Sequence, residues 1–552
     1  MFNKTPAELK EQFLNIKSLP DLANLLDTKR FHLTFFYKDR KNQFYKHFRI
    51  PKKTTGFRDI YAPQNELKIL LSKINYILQS VYPPNSAVHG FIKSPSSSTK
   101  RDIRSNAAKH VKKHMVLNID LQNFFTQITY RRIVGLFRAN PFRFPKEIAS
   151  ILAEICTYKG ALPQGSPTSP VLSNMICMRL DSQLKQLAKK YRCVYTRYAD
   201  DITFSTDLCS FPQELAYPKN KQTFIGKELK GIIENNGFNI NPLKIRLETP
   251  NQRQEATGIT INKRLNVKRI FIKQLRAILH DWALNGEQAA ANHFFTKNSR
   301  ISTSRNFRRI IEGRIEFLGY IRGKEDFIYA KFKNQFNKCA GRNQEHIPET
   351  KYEWISQRLW RLESTSHQGS AFVCEGNKII TCAHCIENDD EKTLELISNS
   401  KKIRFLVNDI KIQAGQVKNG LDVAVLNIIP PNHQTFNYFE IGNPKNVHQG
   451  DKVIIAGYGH TGNSEQTKII DTKITNIKCV TIDYFDDKGL LKSTQIKHFV
   501  VADPIVSGDS GGVLLDAKYK AIGILLRGTS PENPSTSSPF EAISIDALNL
   551  LF

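Results

Sequence analysis

The spacing of hydrophobic and polar positions in the first part of the chain predicts alternating helices and strands. Residues 65–82, NELKILLSKINYILQSVY, place apolar side chains at helical spacing. Residues 115–119 predict a short buried strand, and residues 171 to about 190 predict a second helix after a loop rich in Pro, Gly and Ser. Residues 265–340 are basic and helical in pattern. This mixture indicates an α+β fold.

A hairpin with two carboxylates at its tip is predicted next. Residues 193–198 and 202–205 are apolar and aromatic runs on either side of Ala199, Asp200 and Asp201. Two like charges at a tight turn repel each other, and a divalent cation would relieve that repulsion. Mg²⁺ prefers hard oxygen ligands and often takes only one or two protein carboxylates. For this segment alone, a solvated Asp-Asp turn is the alternative.

A third carboxylate follows the predicted strand 115–119. Asp120 ends this apolar run, and a carboxylate at the end of a buried strand can point at a site above the sheet. Asp120 could then join Asp200 on two metal ions about 4 Å apart, an arrangement used for in-line phosphoryl transfer. An Asp at a strand end is otherwise a turn residue.

The pattern changes near residue 354, where short strands separated by turn residues begin. Residues 338–353 are polar and are predicted to be a linker. Each of the following runs predicts one strand: AFVC, KIITC, KIRFLV, DVAVLNI, DKVIIAGYG, KHFVVAD, GGVLLD and AIGILL. Many short strands of this kind are typical of an all-β sandwich or barrel. We therefore expect one domain over 1–337 and another over 354–552.

Charge separates the same two regions. The 552 residues carry a formal net charge of +29, and a chain of this length is expected to form two or three domains. Residues 1–340 hold 58 Lys and Arg against 26 Asp and Glu, whereas residues 341–552 hold 22 against 25. A basic excess confined to one region predicts a polyanionic partner there, and nucleic acid is the expected one.

The composition also bears on location. The opening residues, MFNKTPAELK, lack the apolar core of a secretory signal, and no stretch reaches the roughly 18–20 apolar residues of a membrane span. The nine cysteines are scattered and odd in number, which is typical of a reducing compartment. We expect a cytoplasmic protein that does not bind a membrane.

Three motifs in the basic region resemble those of reverse transcriptases, in the same order. They are NIDLQNFF at 118–125, LPQGSPTSP at 162–170 and YADD at 198–201, and GFNINPLK and FLGYIRG agree with later elements of that family. The resemblance covers about residues 30–325. NAAKH at 106–110 and ATG at 256–258 resemble elements of retron reverse transcriptases, although retrons usually carry Val where Ala256 stands.

The resemblance implies a right-hand polymerase with fingers and palm over about 30–260 and a helical thumb over about 261–337. It implies that Asp120, Asp200 and Asp201 are catalytic and bind two Mg²⁺ ions. It further implies nucleotide or template contacts by Phe125, Gln164 and Gly165, and RNA contacts by Asn106, His110, Thr257, Gly258, Lys263, Arg264, Lys268 and Arg269. The implied partners are dNTPs, a retron noncoding RNA and the branched RNA-linked single-stranded DNA copied from it.

Three residues of the β-rich region suggest nucleophilic catalysis. His384, Asp422 and Ser510 occur in the order of chymotrypsin-like proteases. Ser510 is a poor nucleophile unless His384 takes its proton, and His384 needs Asp422 to fix its tautomer. TCAHC and GDSGG resemble the motifs of trypsin-like serine peptidases, and the resemblance covers about 354–552. It implies a double β-barrel protease without a cofactor.

The glycine-rich turn around Ser510 predicts an oxyanion hole. The amides of Gly508 and Ser510 would face the developing oxyanion, and one such donor typically lowers a barrier by roughly 3–4 kcal/mol. The family's activation by a freed amino terminus is not available while that terminus is joined to the polymerase region. Either the pocket is organised without it, or a partner or a cut supplies the activation.

The cysteines and the substrate pocket are less informative. Cys382 and Cys385 form a C-x-x-C pair without a second pair at metal spacing, so buried reduced thiols are predicted over zinc or a redox site. A Cys374–Cys385 disulfide is conceivable only by family analogy. Pro504 falls near the expected floor of the primary pocket, and Arg527 on its wall would favour an acidic side chain.

We expect a retron reverse transcriptase fused to a serine endopeptidase effector in bacterial anti-phage defence. The protease substrate is unknown. One alternative is a diversity-generating or group II intron-like reverse transcriptase with a self-processing protease. Another is a nucleic-acid-binding scaffold in which neither site turns over.

Overall fold

The structure is a computed structural model that describes most of the chain. The described residues are 4–37, 41–51, 56–93, 100–220, 222–298, 306–363, 368–376, 378–386, 394–398, 404–406, 409–411, 421–427, 436–459, 467–485, 489–506, 508–526 and 540–551. The chain divides into two compact units. The first is Met1–Glu325 with Lys338–Arg342, and the second is Asp326–Asn337 with Asn343–Phe552.

The first unit mixes helices and strands, as the spacing of apolar residues predicts. Its helices are α1 (Pro6–Leu14), α2 (Leu19–Leu25), α3 (Arg30–Tyr37), α4 (Asn65–Val81), α5 (Ile103–Ala108), α6 (Tyr130–Arg138), α7 (Lys146–Cys156), α8 (Ser169–Ile176), α9 (Met178–Lys190), α10 (Lys227–Asn235), α11 (Arg269–Lys297, kinked at Gly286) and α12 (Phe307–Arg322). Its strands are β1 (Tyr45–Pro51), β2 (Phe57–Pro63), β3 (Met115–Asp120), β4 (Val194–Tyr198), β5 (Asp201–Thr206), β6 (Ala216–Lys219), β7 (Gln222–Ile225), β8 (Arg246–Glu248), β9 (Glu255–Ala256) and β10 (Ile259–Thr260).

A four-stranded antiparallel sheet in the order β4-β5-β3-β8 forms the centre of this unit. The predicted hairpin is β4–β5, and the predicted buried strand is β3. The helix expected over 171–190 is instead two helices, α8 and α9. Cys177 between them has ψ −4°, far from the helical value near −42°, which interrupts the helix there.

A buried ion pair lies beneath this hairpin. Arg197 of β4 and Asp181 of α9 both have fully buried side chains, and two guanidinium nitrogens of Arg197 lie 2.7 Å from the two carboxylate oxygens. The Tyr195 hydroxyl donates to Asp181 at 2.7 Å, and Arg197 also donates to the Asn174 side-chain oxygen at 3.2 Å. The charges are therefore paired bidentately and surrounded by further hydrogen bonds, the condition for tolerating them inside a protein.

The second unit is rich in strands. Its helices are α13 (Phe327–Cys339), most of which belongs to this unit, and α14 (Lys351–Ser356). Its strands are β11 (Leu359–Glu363), β12 (Gln368–Cys374), β13 (Lys378–Thr381), β14 (Glu395–Ser398), β15 (Arg404–Leu406), β16 (Asp409–Lys411), β17 (Ala424–Asn427), β18 (Lys452–Gly457), β19 (Lys468–Phe485), β20 (Leu491–Val501), β21 (Val513–Leu515), β22 (Ala521–Leu525) and β23 (Glu541–Ser544).

Two antiparallel sheets make up the β-structure of this unit. One has seven strands in the order β15-β14-β11-β12-β13-β17-β16, and the other is a closed barrel in the order β18-β19-β20-β23-β22-β21. One buried apolar cluster contains residues of both sheets, such as Phe372 of β12 and Val513 of β21, and a second cluster, which includes Phe499 of β20, lies in the barrel. The predicted β-rich second half is confirmed. Of the two sheets, the second closes into a barrel within the described residues.

In the part of the chain that the structure describes, no helix combines the length and apolar character required to cross a bilayer.

The ion pair yields a stability prediction. Arg197→Met leaves Asp181 buried without a cation, and breaking a buried pair in this way typically costs about 3–5 kcal/mol of unfolding free energy. We expect a loss of that size in the first unit, measured by urea unfolding followed by far-ultraviolet circular dichroism. Glu228→Gln removes the exposed Lys190–Glu228 pair (2.9 Å) and is the matched control, expected to cost less than about 1 kcal/mol. Equal losses in the two variants would contradict this account.

Candidate active sites

The turn that carries Asp200 is held from two sides. Tyr198 pairs with Asp201, so Ala199 and Asp200 form a two-residue turn. Ala199 has a left-handed φ of 57°, which side chains rarely adopt, and its carbonyl accepts a hydrogen bond from Arg197 at 3.0 Å. A Cβ on Gly90 would lie 2.6 Å from the Ala199 nitrogen, so glycine is required there. The buried ion pair and this close packing together define the turn.

The structure brings the three predicted carboxylates to one end of the sheet. Asp120 of β3 lies directly opposite Asp201 of β5, so both side chains are on the same face. The Leu121 amide donates to the Asp200 carbonyl at 3.0 Å, which ties the turn to the end of β3. The three carboxyl groups do not form a tight ligand cluster. Among the described residues, one group of three possible metal ligands has all its ligand atoms within 4.8 Å of one another. That group is Cys382, His384 and Asp422, in the second unit.

Asp120 contacts two side chains that come about 120 residues later in the sequence. The Lys244 ammonium lies 2.7 Å from Asp120 Oδ2, and the Asn241 amide donates to Oδ1 at 3.2 Å. Both belong to GFNINPLK, which the sequence analysis identified as a motif without assigning a role to these two residues. Their contact with Asp120 identifies them as the groups that orient this carboxylate.

Two of the three carboxyl groups are protonated more easily than usual. Removal from water and the charges of Asp200 and Asp120 raise the pKa of Asp201 to about 7. Removal from water and the charge of Asp120 also raise the pKa of Asp200. A divalent cation fits this donor set because carboxylate oxygens are the hard ligands that Mg²⁺ binds, and it would offset the repulsion among the three carboxylates. Asp120, Asp200 and Asp201 are the residues that would hold it.

The predicted nucleotide contacts lie on two other segments. The Gln164 carbonyl accepts a hydrogen bond from the Tyr61 amide at 2.8 Å, which attaches this loop to the β1–β2 hairpin. Gly165 has φ 117°, and a Cβ there would lie 3.0 Å from the Tyr61 oxygen, so the loop requires glycine. Phe125 is half-buried, with its ring centroid 6.2 Å from that of Phe91.

The structure corrects the prediction that Asn106 and His110 contact RNA. Both side chains are fully buried. The His110 ring nitrogens lie 2.6 Å from the Ser205 hydroxyl and 2.7 Å from the Thr196 hydroxyl. Burial lowers the pKa of His110 to about 3, so the ring is neutral and packs in the core. His110 therefore has a structural role in this fold.

The remaining predicted RNA contacts are close to solvent. The side chain of Lys268 lies 3.1 Å from Glu255, and the Thr257 hydroxyl donates to the Ile103 carbonyl at 3.2 Å. Thr257 has a left-handed φ of 48° and starts the turn between β9 and β10. The exposed members of this set are Gly258, Lys263, Arg264 and Arg269.

In the second unit, two of the three predicted triad members are joined. His384 lies in a short 3-10 turn, Ala383–Cys385, just after β13. The Asp422 carboxylate lies 2.6 Å from His384 Nδ1 and also accepts the His384 amide at 3.0 Å. Burial alone would lower the pKa of His384. The interactions with Asp422, Cys382 and Cys385 together outweigh burial, and the pKa of His384 is raised above its ordinary value.

Ser510 lies on a loop whose backbone is built around Ser370. The Ser370 amide donates to the Ser510 carbonyl at 2.8 Å, and the Ser370 hydroxyl donates to the Gly508 carbonyl at 2.6 Å. Gly511 has φ 81°, and a Cβ there would lie 2.1 Å from the Ser370 carbonyl oxygen. Within the described residues, the amides of Gly508 and Ser510 donate no hydrogen bond, so both are available to an oxyanion.

Ser510 and His384 are not hydrogen-bonded to each other within the described part of the second unit. The nearest recorded partner of His384 Nε2 is Cys385 Sγ, at 3.5 Å. Catalytic hydrogen bonds are often long before substrate binds and tighten in the complex. The described residues therefore include the triad members and the loop that presents Ser510. They do not include a hydrogen bond between Ser510 and His384.

The cysteines next to His384 are reduced and buried, as predicted. All nine cysteines are free thiols, and the Cys382 thiol donates to the Leu525 carbonyl at 3.1 Å. Ligand atoms of Cys382, His384 and Asp422 lie within 4.8 Å of one another, a set that zinc could use. Burial raises the pKa of the Cys382 thiol well above its ordinary value, and the proton of this thiol is already donated to the Leu525 carbonyl. The geometry therefore favours packing.

Residues expected near the specificity pocket are partly visible. Pro504 is exposed, and its carbonyl accepts a hydrogen bond from Lys468 at 3.2 Å. Arg527, expected on the pocket wall, lies outside the described residues.

The carboxylate site has a predicted pH dependence. A carboxyl group whose folded pKa is raised stabilises the fold at low pH, and that stability is lost as pH rises through the folded pKa. Without divalent cations we therefore expect Tm to fall between about pH 5 and pH 8, since the folded pKa of Asp201 is about 7. Mg²⁺ should raise Tm more at the upper end, where Asp201 is ionised.

Thermal scans at both pH values, with EDTA or Mg²⁺, measure this effect. Asp201→Asn should weaken both the pH dependence and the Mg²⁺ response. Asp207→Asn, at the far end of β5, is the matched control because Asp207 pairs with Lys113 at 2.6 Å. An equal Mg²⁺ response at both pH values would be evidence against cation binding at this site.

Two family models match the chain. Residues 50–320 match the reverse transcriptase (RNA-dependent DNA polymerase) family, and residues 369–524 match the trypsin-like peptidase domain. In a solved structure, the Rv3671c protease from M. tuberculosis in its active form aligns over 36% of this chain and 80% of its own, with 16% identity and a TM-score of 0.27.

Curated relatives match the first unit. Retron Mx65 reverse transcriptase of Myxococcus xanthus is 33% identical over 254 residues, which are 43% of this chain and 55% of the relative. Retron Ec86 reverse transcriptase of Escherichia coli is 33% identical over 227 residues, 40% of this chain and 64% of the relative. This chain thus spans about half the length of the first of these relatives. The chain is a fusion of a reverse transcriptase domain, with retron reverse transcriptases as homologues, and a C-terminal trypsin-like peptidase domain.

Proposed function

We propose that this chain is an RNA-directed DNA polymerase of the retron type joined to a serine endopeptidase. The observation that carries the polymerase proposal is the placement of Asp120 opposite Asp201 beside the two-residue turn that holds Asp200. Three carboxylates at one end of a sheet, two of them with raised pKa values, are arranged to bind cations that carry a triphosphate. The match of residues 50–320 to reverse transcriptases supports the same chemistry.

The polymerase residues have separate tasks in this proposal. Asp120, Asp200 and Asp201 bind Mg²⁺, which when bound neutralises the charge of the transferring phosphate. Lys244 and Asn241 hold Asp120 in place. The Gly165 loop, attached to the fingers hairpin β1–β2, and Phe125 border the incoming dNTP and the template. Positioning and charge account for most of the catalysis in this class of reaction.

The retron assignment concerns the nucleic acid. We infer that the first unit binds a noncoding RNA and copies part of it into single-stranded DNA that stays linked to the RNA. The similarity to the Mx65 and Ec86 retron reverse transcriptases supports this. The 58 basic against 26 acidic residues over 1–340 suit a large polyanion, and Gly258, Lys263, Arg264 and Arg269 offer an exposed surface for it.

The protease proposal assigns three steps to this chain's own residues. His384, oriented by its hydrogen bond to Asp422, takes the proton from Ser510 Oγ as that oxygen attacks the scissile carbonyl. The amides of Gly508 and Ser510 donate to the oxyanion that forms. His384 then returns the proton to the leaving amine. Binding of the unknown protein substrate, or of a reagent that occupies the same site, brings Ser510 and His384 into contact.

A role in anti-phage defence would link the two activities. We propose that the bound RNA and DNA restrain the peptidase until infection disturbs them. The supporting observation is charge, since residues 341–552 hold 22 basic and 25 acidic residues and have no basic excess of their own. Peptidase activity that is equal with and without the nucleic acid would remove this regulatory part and leave both enzymes.

Nucleic acid that copurifies with the protein tests the retron proposal. The chain is expressed beside its flanking DNA, and its nucleic acid is treated with RNase and run on a denaturing gel. We expect a discrete single-stranded DNA that migrates faster after RNase and is missing from Asp200→Asn. Asp207→Asn, which changes an acid just after β5 and outside the site, should retain it.

The same gel separates the alternatives. Mg²⁺-dependent synthesis without a discrete RNA-linked product would favour a diversity-generating or group II intron-like enzyme with a self-processing protease. No synthesis from a folded protein would favour a scaffold without turnover.

A fluorophosphonate probe tests the peptidase. After nuclease treatment has removed the nucleic acid, we expect it to label the intact chain at Ser510, with labelling lost in Ser510→Ala and retained in Ser493→Ala, which changes an exposed serine of β20. A wild-type chain that is folded and is not labelled would contradict the peptidase proposal.

A further inference from the structure

A buried ion pair lies next to the proposed nucleophile and has no part in the triad. Asp509, the residue before Ser510, is only 2% exposed. The Lys468 ammonium lies 2.8 Å from Asp509 Oδ2, and the Lys468 side chain is 16% exposed. Lys468 is the first residue of β19, in the closed barrel that also contains β21, the strand after the Ser510 loop.

The Asp509 carboxylate closes the loop that carries Ser510. Its Oδ2 atom accepts the Val506 amide at 2.9 Å, while the Asp509 amide donates to the Val506 carbonyl at 3.0 Å. The Gly512 amide donates to the Asp509 carbonyl at 2.8 Å. These bonds set the backbone on both sides of Ser510, so the position of Asp509 determines where the Gly508 and Ser510 amides point.

Among the described residues, Lys468 is the cationic partner of Asp509. The second carboxylate oxygen, Oδ1, is buried and has no hydrogen-bond partner within the described residues. The space around it is narrow, because a Cβ on Gly459 would lie 2.6 Å from Oδ1 and one on Gly457 would lie 3.1 Å from the Asp509 Cα. A buried carboxylate with one cationic partner is strongly destabilised when that partner is removed.

The Lys468 ammonium is also held by a second group. It donates to the Pro504 carbonyl at 3.2 Å, so one side chain of β19 binds both ends of the segment that leads into Ser510. The cation therefore comes from inside the folded barrel. No free amino terminus is required to neutralise Asp509.

We propose that Lys468 is a positioning residue that holds the Ser510 loop in its working shape within the uncut chain. This inference rests on the proposed serine peptidase function. The sequence left open whether the pocket is organised without a freed amino terminus or is activated by a partner or a cut. The Lys468–Asp509 pair favours the first of these. Peptidase control then falls to substrate or partner binding, which must complete the contact between Ser510 and His384, and no activating cut is needed.

Full-length Lys468→Met tests the proposal. Labelling of Ser510 by the fluorophosphonate probe should slow on the order of 100-fold, since small displacements of a reacting group have effects of that size. Lys468→Arg keeps a cation and should recover part of the rate. Lys473→Met changes an exposed lysine of the same strand and should label like the wild type. The wild-type label must appear at the mass of the intact chain.

A second measurement does not depend on peptidase activity. Hydrogen–deuterium exchange in the Ser510→Ala background should increase over residues 505–515 in Lys468→Met and stay unchanged in Lys473→Met. Unchanged exchange there, or equal labelling rates in the wild type and Lys468→Met, would overturn the inference and leave the peptidase proposal standing. A wild type that is not labelled, with exchange increased as expected, would instead refute peptidase activity and retain the role of the ion pair. Labelling found only in a cleaved chain would overturn the inference.

Discussion

The polymerase site depends on a bidentate ion pair that is fully buried beneath it. Arg197 and Asp181 are both fully buried, and the same guanidinium holds the carbonyl of Ala199 in a left-handed turn. That turn places Asp200, and its register places Asp201 opposite Asp120. The three carboxylates repel one another, and the buried Arg197–Asp181 pair holds the turn that keeps them together at one end of the sheet.

The peptidase unit also has a buried ion pair next to its site, with a different geometry. Asp509 is buried next to Ser510 and is paired with Lys468, and its backbone and carboxylate bonds shape the loop. In both units an ion pair outside the reacting groups sets the backbone that presents them. The pairs differ in how fully they are satisfied, because Arg197–Asp181 is bidentate whereas Asp509 Oδ1 has no partner among the described residues.

Sequence motifs predicted the reacting groups and missed the groups that position them. YADD, GDSGG and TCAHC identify carboxylates, a serine and a histidine whose chemistry depends on residue type and order. The roles of Arg197 and Lys468 depend on contacts with Asp181 and Asp509, which are distant in sequence, and on burial that a motif does not reveal. One signal was present, since a lone Arg within the otherwise uncharged strand CVYTRY suggests a buried partner.

The most direct test of the polymerase site is primer extension on an RNA template with Mg²⁺ and labelled dNTPs, for wild type, Asp200→Asn and, as a control at the other site, Ser510→Ala. The account predicts extension by the wild type and by Ser510→Ala, and none by Asp200→Asn. Extension that persists in Asp200→Asn would contradict it, because DNA synthesis would then not depend on the carboxylate turn held by Arg197.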